Sequence, residues 1–145
     1  MTNFDAGEQK ALMTLIRNDV RFLVIGGFAV TAHGYERPVG DLDLLVEASE
    51  ENASHLVAAL QELDLTGVAV DRLAQPGKKL PLPRYGVELL TSLDGIKFAE
   101  AFARKSMLQC GSIDVPVLSL EDLVRSKSRT GRTKDRQDIR RLARR

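Results

Sequence analysis

The sequence predicts a single α/β domain with a mixed central β-sheet and flanking helices. Short apolar runs alternate with amphipathic segments along all 145 residues, which is typical of an α/β layer structure. No internal repeat, low-complexity segment or dividing linker interrupts this alternation. We therefore expect one domain, made of an α/β core over residues 1–118 and basic C-terminal helices over residues 119–145.

The first third of the chain predicts two strands among three helices. Apolar residues recur at helical spacing in the first and last helices, and each strand is a short apolar run. At Gly26 and Gly27 the chain turns from the first strand into a helix, which ends at Gly34. Ser49 caps the third helix. The expected elements are a helix at 5–18, a strand at 21–25, a helix at 28–33, a strand at 41–46 and a helix at 52–63.

The rest of the chain continues the alternation. Three prolines within residues 75–83 predict a mobile loop, an apolar run around Glu88 predicts a strand, and Gly131 separates two final helices. The expected elements are a strand at 68–73, the loop at 75–83, a strand at 87–91, a helix at 95–105, a strand at 112–118 and helices at 120–128 and 133–142.

Composition excludes several classes of protein. No apolar run approaches the roughly 18 residues of a membrane span, and the polar N-terminal segment does not resemble a signal peptide. A single cysteine, Cys110, cannot form an internal disulfide and suits a reducing compartment. We therefore expect a cytoplasmic protein that does not enter a membrane.

The net charge of +1 hides an uneven distribution. Residues 119–145 contain 10 Lys/Arg and 4 Asp/Glu, whereas residues 1–118 contain 11 basic and 16 acidic residues. This basic C-terminal segment could face the phosphates of a nucleotide or a nucleic acid. The alternative is a solvated helix surface with no ligand.

Three acidic residues predict a metal site. Asp41 and Asp43 stand two apart in an apolar run, so on a strand both carboxylates leave the same face, where a divalent cation would relieve their repulsion. Glu88 lies inside another apolar strand, where an acid is costly unless it is paired or metal-bound. We expect it beside the aspartates, about 5 Å away at the Cβ atoms. The alternatives are aspartates that face water at a strand end and a glutamate on an edge strand.

Gly26 and Gly27 could let phosphate oxygens approach backbone N–H groups at the start of the following helix. Their alternative role is only to permit a tight turn. Two Mg²⁺ ions, about 3.5–4 Å apart and held by carboxylates, would neutralise a triphosphate beside these glycines. Together, the glycines and the acids indicate phosphate chemistry.

These motifs resemble the nucleotidyltransferase superfamily that shares its fold with DNA polymerase β. Its signature is a hydrophobic residue with Gly-Gly or Gly-Ser, then Asp-x-Asp between hydrophobic residues, then a single strand carboxylate. Ile25-Gly26-Gly27, Asp41-Leu42-Asp43-Leu44 and Glu88 match these parts in order. Gly27 stands where better-studied members have serine, and Glu88 where aspartate is commoner.

The chain looks most like small bacterial single-domain members of that superfamily, including the AbiEii-like toxins of toxin–antitoxin systems. A C-terminal lysine, then Arg-x-Lys-Asp and a further aspartate, is common in that group. Lys127, Arg132-Thr133-Lys134-Asp135 and Asp138 fit this pattern. The resemblance covers residues 21–142 and implies a nucleotidyltransferase fold that ends in a pair of helices.

The resemblance implies a Mg²⁺-dependent nucleotidyltransferase that uses a nucleoside triphosphate such as ATP. The acceptor would be a hydroxyl of an RNA, for example a tRNA, or of a protein. Catalysis and metal binding are then expected at Asp41, Asp43 and Glu88. The residues expected to contact the nucleotide are Gly26, Gly27, Arg37, Lys127, Arg132 and Lys134. Arg37 could instead pair with Glu36 or Asp41, and the C-terminal cations could be helix-surface charge.

Two rival functions stay open. The chain could be a non-catalytic member of the same fold, acting as a nucleotide sensor or as the partner of a cognate antitoxin. It could also be a plain RNA-binding module that uses residues 125–145. That segment has no aromatic residue on which a base could stack, so the sequence disfavours the RNA-binding module.

Overall fold

The structure is a computed structural model that describes residues 4–35 and 40–130, except for the side chains of Cys110 and residues 127–130. A 3-10 turn, Pro83–Tyr85, follows the third of its strands. The helices are α1 Ala6–Arg17, α2 Gly26–Ala32, α3 Glu50–Glu62, α4 Val70–Leu73, α5 Phe98–Ala103 and α6 Leu120–Thr130. The strands are β1 Phe22–Ile25, β2 Leu42–Val46, β3 Lys79–Leu82, β4 Val87–Leu90, β5 Ser106–Cys110 and β6 Ile113–Val117.

The six strands form one mixed sheet in the order β3-β4-β2-β1-β6-β5. β2 runs parallel to β4 and β1 parallel to β6, while the other three neighbouring pairs are antiparallel. The predicted α/β class with a mixed sheet is therefore confirmed. The centre of this sheet, formed by β4, β2 and β1, carries two of the predicted functional residues, Asp43 and Glu88.

The two faces of the sheet differ in chemistry. Alternate residues of β1, β2 and β4 form a core face, and each of them is no more than 2% exposed. These residues are Phe22, Val24, Leu42, Leu44, Val46, Val87 and Leu89. The opposite face, called the acid face below, carries Asp43, Leu45, Glu88 and Leu90. Burial of the core face stabilises the sheet, whereas the acid face is available for chemistry.

The Pro-rich segment is structured rather than a mobile loop. The Gly77 N–H donates to Ser92 Oγ at 2.9 Å, and the Lys78 N–H donates to Thr91 Oγ1 at 2.8 Å. These bonds tie the segment to the end of β4, and β3 then pairs antiparallel with β4. Because β3 lies at the sheet edge, Pro81 can lack an N–H group without breaking an interior ladder. The predicted loop is therefore a turn only at residues 75–78, and the prediction was wrong for residues 79–83, which form β3 and the start of the 3-10 turn.

Three further boundaries differ from the predictions. The segment predicted as a strand at 68–73 contains the short helix α4, and the helix predicted at 95–105 is only the six residues of α5. β5 was not predicted, and it forms a hairpin with β6 around Gly111. The second C-terminal helix, predicted at 133–142, lies outside the described residues.

None of the helices within the described ranges is both long and apolar enough to span a membrane.

An ion cluster fastens α6 to the segment that follows α5. Arg104 Nη2 and Nε donate to the two carboxylate oxygens of Asp122 at 2.7 and 3.1 Å, and Arg125 Nη1 donates at 3.2 Å. Ser119 Oγ adds a bond of 3.1 Å to the same carboxylate. The Asp122 side chain is fully buried. Burial alone would raise the pKa of Asp122, but the bonds from Arg104 and Ser119 and the nearby positive charges outweigh it and lower that pKa.

Candidate active site

Asp43 and Glu88 lie side by side on adjacent strands. The parallel register of β2 and β4 pairs Asp43 with Glu88 directly. Residues paired in this way point to the same face of a sheet, so the two carboxylates share the acid face. Both side chains are half-buried. The structure therefore brings together two of the three acids that the sequence singled out.

Asp41 lies just outside the ladder, in an exposed bend before β2. The Leu42 N–H donates to the Gly86 carbonyl at 2.9 Å, which joins the start of β2 to the residue before β4. The strand begins at Leu42 and not at Asp41 as predicted. Asp41 is thus two residues from Asp43 in the sequence, but it lies outside the β-ladder that fixes the backbone of Asp43.

Gly26 lies against the carboxylate of Asp43. β1 pairs antiparallel with β2, with Ile25 opposite Asp43, and the chain turns into α2 at the next residue. Gly26 has a φ of 68°, and a Cβ added there would lie 2.9 Å from Asp43 Oδ2. Any other L-residue would therefore meet both a strained backbone and a carboxylate oxygen. The glycine that ends the first strand is explained by the acid beside it.

Replacing Gly26 with alanine should destabilise the protein by more than the backbone strain alone. Gly67 provides the matched control, because its φ of 84° is also positive but nothing lies within 4 Å of an added Cβ. We expect Gly67→Ala to cost about 1–2 kcal/mol, and Gly26→Ala to cost at least about 1 kcal/mol more. Urea unfolding measures both costs. In an Asp43→Ala background the excess should disappear, and an excess that persists would contradict the contact.

The acid face is covered at one side and open at the other. On β1 and β2, the side chains of Leu23, Ile25 and Leu45 are buried. Towards the edge, the register places Lys79 opposite Leu90 and Pro81 opposite Glu88. Lys79 and Pro81 are exposed. The side of the acid face over β4 and β3 is therefore the more open one.

Lys79 is a cation of the acid face that the sequence analysis did not identify. Three nearby prolines predicted a loop and hid the alternation of exposed Lys79 and Pro81 with the more buried Leu80 and Leu82. That period of two is the signal that could have found the strand. Lys79 is diagonal to Glu88 across two adjacent strands, so a long side chain can reach towards the same region.

Glu8 is a second residue that the sequence analysis missed. It completes a capping box with Asp5, in which Glu8 Oε1 accepts from the Asp5 N–H at 2.9 Å and the Glu8 N–H donates to Asp5 at 2.8 Å. Burial raises the pKa of the Glu8 carboxyl; the bond from the Asp5 N–H opposes this, and the charges of Asp5 and Asp41 raise it further. The Asp-x-x-Glu spacing at the start of α1 is a capping signal. The negative charge of Asp41 therefore acts on the Glu8 carboxyl in the first turn of α1.

The acids fit a magnesium site that substrate completes. Within residues 4–35 and 40–130, no three His, Cys, Asp or Glu side chains form a group that could hold a metal ion. Asp41, Asp43 and Glu88 therefore do not form a ready three-ligand cage. Mg²⁺, however, is commonly held by one or two carboxylates together with waters and substrate phosphates. Two half-buried carboxylates on one open face meet that lower requirement.

Most of the cations expected to contact a nucleotide cannot be placed. Arg37, Arg132 and Lys134 lie outside the described residues. The backbone of Lys127 belongs to α6, but its side chain lies outside the described part of the chain. Gly27 follows Gly26 within the first turn of α2. The structure thus assembles the glycines, Asp43 and Glu88 in one place and leaves the cationic part of the prediction open.

No protein-family model matches the sequence, and no curated protein matches it either.

Proposed function

We propose that the protein has the nucleotidyltransferase fold and is a Mg²⁺-dependent nucleotidyltransferase. It would transfer a nucleoside monophosphate from a nucleoside triphosphate to a hydroxyl group of an RNA or a protein. One observation carries the proposal: Asp43 and Glu88 pair in register on one open face, with Gly26 against the Asp43 carboxylate. Two acids beside a glycine turn provide oxygen ligands next to backbone N–H groups, which is what a magnesium-bound triphosphate requires.

Each residue has a defined role in this proposal. Asp41 and Asp43 would hold the ions, and the N–H groups of Gly26 and Gly27 would meet the β- and γ-phosphate oxygens. Mg²⁺, when bound, neutralises the triphosphate and the leaving pyrophosphate. Glu88 would ligate the catalytic ion together with Asp43, and it would orient the acceptor hydroxyl and help take its proton as the hydroxyl oxygen bonds to the α-phosphorus. The bond from that phosphorus to pyrophosphate breaks in the same exchange.

The acceptor is assigned by charge. Residues 119–145 carry an excess of six positive charges, which suits a polyanion such as RNA, with tRNA as the first choice. A protein hydroxyl is the second choice, because nothing in the site distinguishes one hydroxyl from another. A salt-sensitive reaction with RNA and a salt-insensitive one with protein would separate these acceptors.

The test is label transfer from each of the four nucleoside triphosphates. Wild-type protein is incubated with α-labelled triphosphate, Mg²⁺ and either total cell RNA or RNA-free lysate. We expect label to enter one acceptor class, to require Mg²⁺, and to be absent with Asp41→Ala/Asp43→Ala. Transfer that survives in this double variant would remove the acids from the mechanism, and no transfer from any triphosphate would argue against an enzyme.

Lys79 should contribute to triphosphate binding through its place on the acid face. Replacing it with alanine should weaken ATP binding about three- to tenfold in low salt, because one charge contact to phosphate is lost. Lys10, an exposed lysine of α1, is the matched control and should change affinity less than about twofold when replaced by alanine. Isothermal titration calorimetry measures both. Equal affinities for the two variants would remove Lys79 from the site.

The second candidate is a non-catalytic protein of this fold that senses nucleotides or binds a cognate antitoxin. It is favoured by the exposed bend at Asp41 and by the lack of a ready three-ligand cage among the described residues. Calorimetry with ATP separates it from the enzyme. ATP binding that is equally strong with Mg²⁺ and with EDTA would favour the sensor, whereas Mg²⁺-dependent binding favours the transferase.

A further inference from the structure

A largely apolar cavity of about 380 Å³ reaches the acid face at Leu45 and is lined by eleven residues, from β2 and the loop after it, the turn before β3, the segment after β4, and α5. Leu45 contributes from β2, and the half-buried side chains of Leu93, Ile96 and Phe98 contribute from the opposite wall. Pro76 closes one side, on the segment that Thr91 and Ser92 tie to β4. The volume lies within the range of small-molecule sites.

The cavity and the acid pair lie on the same face of the sheet. Leu45 follows Asp43 by two residues on β2, and its partner Leu90 follows Glu88 by two residues on β4. Side chains two apart on a strand share a face, and they are separated by about 7 Å. The cavity therefore begins at Leu45, two residues along β2 from Asp43, on the face of the sheet that carries the acids.

The lining of the cavity combines apolar walls with a few polar groups. Ser49 Oγ donates to Glu47 Oε1 at 3.0 Å, and both residues line the cavity together with Ser92. Phe98 stacks on Phe102 with ring centroids 5.3 Å apart, which holds its ring in place. Such a lining suits a flat ring of low polarity with hydrogen-bonding groups at its edge.

We propose that this cavity holds the nucleobase of the triphosphate whose phosphates lie at Asp43 and Glu88. This inference rests on the proposed function. A single nucleoside triphosphate offers an anionic end and a flat aromatic end, joined by a sugar. The acid face offers a carboxylate pair for metal-bound phosphates and, about 7 Å further along the same strands, an apolar cavity. One molecule can therefore occupy both.

The test fills the cavity and leaves the acids untouched. Ala99 lines the cavity from α5 and is exposed, so Ala99→Trp places an indole in the space that the base would take. Ala103, an exposed alanine at the end of the same helix that does not line the cavity, provides the control Ala103→Trp. Affinities for ATP and for inorganic tripolyphosphate are measured by calorimetry with Mg²⁺.

We expect Ala99→Trp to weaken ATP binding at least about tenfold, which matches the loss of one base contact. Tripolyphosphate binding should change less than about twofold in either variant, because it has no base. ATP bound equally well by Ala99→Trp and wild type would overturn the inference while leaving the proposed function intact. Unchanged ATP affinity with slower label transfer would assign the cavity to the acceptor and would also overturn it.

A second measurement needs no variant and covers the case in which Ala99→Trp does not fold. Methyl resonances of Leu93 and Ile96 in wild-type protein should shift on addition of ATP and stay in place with tripolyphosphate. Methyl resonances that do not shift although ATP binds would overturn the inference. Wild-type protein that binds neither ATP nor tripolyphosphate with Mg²⁺ would reject the proposed function, and the base site with it.

Discussion

Replacing Asp43 with asparagine should reduce label transfer at least about a thousandfold, equivalent to roughly 4 kcal/mol of transition-state stabilisation. The amide keeps the size of the side chain but loses the charge that holds a divalent cation. Because Gly26 packs against this carboxylate, the isosteric change should leave the local packing intact. Initial rates of label transfer, with a thermal melt as a check on folding, measure the effect.

The acid pair should behave as a unit. Glu88→Gln is expected to lose a similar activity, and the double variant Asp43→Asn/Glu88→Gln should lose little more than either single one. Asp114→Asn is the matched control, since Asp114 is an exposed aspartate on β6, away from the acid pair in the sheet. Losses that simply multiply in the double variant, or more than a tenth of wild-type activity in Asp43→Asn, would contradict a shared metal site.

Asp122→Asn should destabilise the protein by about 2–3 kcal/mol, the largest stability effect that we expect from an isosteric change. The substitution replaces a buried carboxylate oxygen with an NH₂ group that faces donors of Arg104, Arg125 or Ser119. Because the folded-state pKa of Asp122 is lowered, its stabilising contribution is complete above the unfolded pKa, near 3.9. That contribution is lost as the pH falls through the lower folded value.

Urea unfolding at pH 7 and at successively lower pH measures the difference between wild type and Asp122→Asn, which should shrink below about pH 4. Asp64→Asn provides the control, because Asp64 forms an exposed ion pair with Arg84 at 3.6 Å. Its cost should stay below about 0.5 kcal/mol. A difference at Asp122 that is small at pH 7, or that grows towards acid pH, would contradict the role of the buried carboxylate.

The central part of the sheet could be predicted from sequence because its signals are local. Apolar runs mark β1, β2 and β4. An acid within such a run is costly unless it is paired or bound to a metal. This local argument applies to Asp43 and Glu88, although their pairing depends on the whole sheet. The end of the first apolar run likewise predicts the turn at Gly26. The Asp43 carboxylate that lies where a side chain of residue 26 would be belongs to a different strand.

The edges of the sheet could not be predicted in the same way. β3 contains Pro81. Proline is excluded from interior strands but is tolerated in an edge strand. Whether a strand lies at the edge depends on the whole sheet and not on local sequence. β5 is held by its hairpin with β6 rather than by its own composition. α4 is four residues long, too short for a helical period to be recognised. For β3 and β5, a neighbouring strand decides the local structure.

The order of the strands has a consequence for how the protein folds. Glu88 meets Asp43 only after the chain has passed through α3, α4 and β3, and β1 gains β6 as its second neighbour only near the end of the chain. Both parallel pairings close long loops, whose entropy must be offset before the contacts form. We therefore expect the pairing of Asp43 with Glu88 to form late in folding. During synthesis, the two acids should not pair until the chain through Leu90 has left the ribosome.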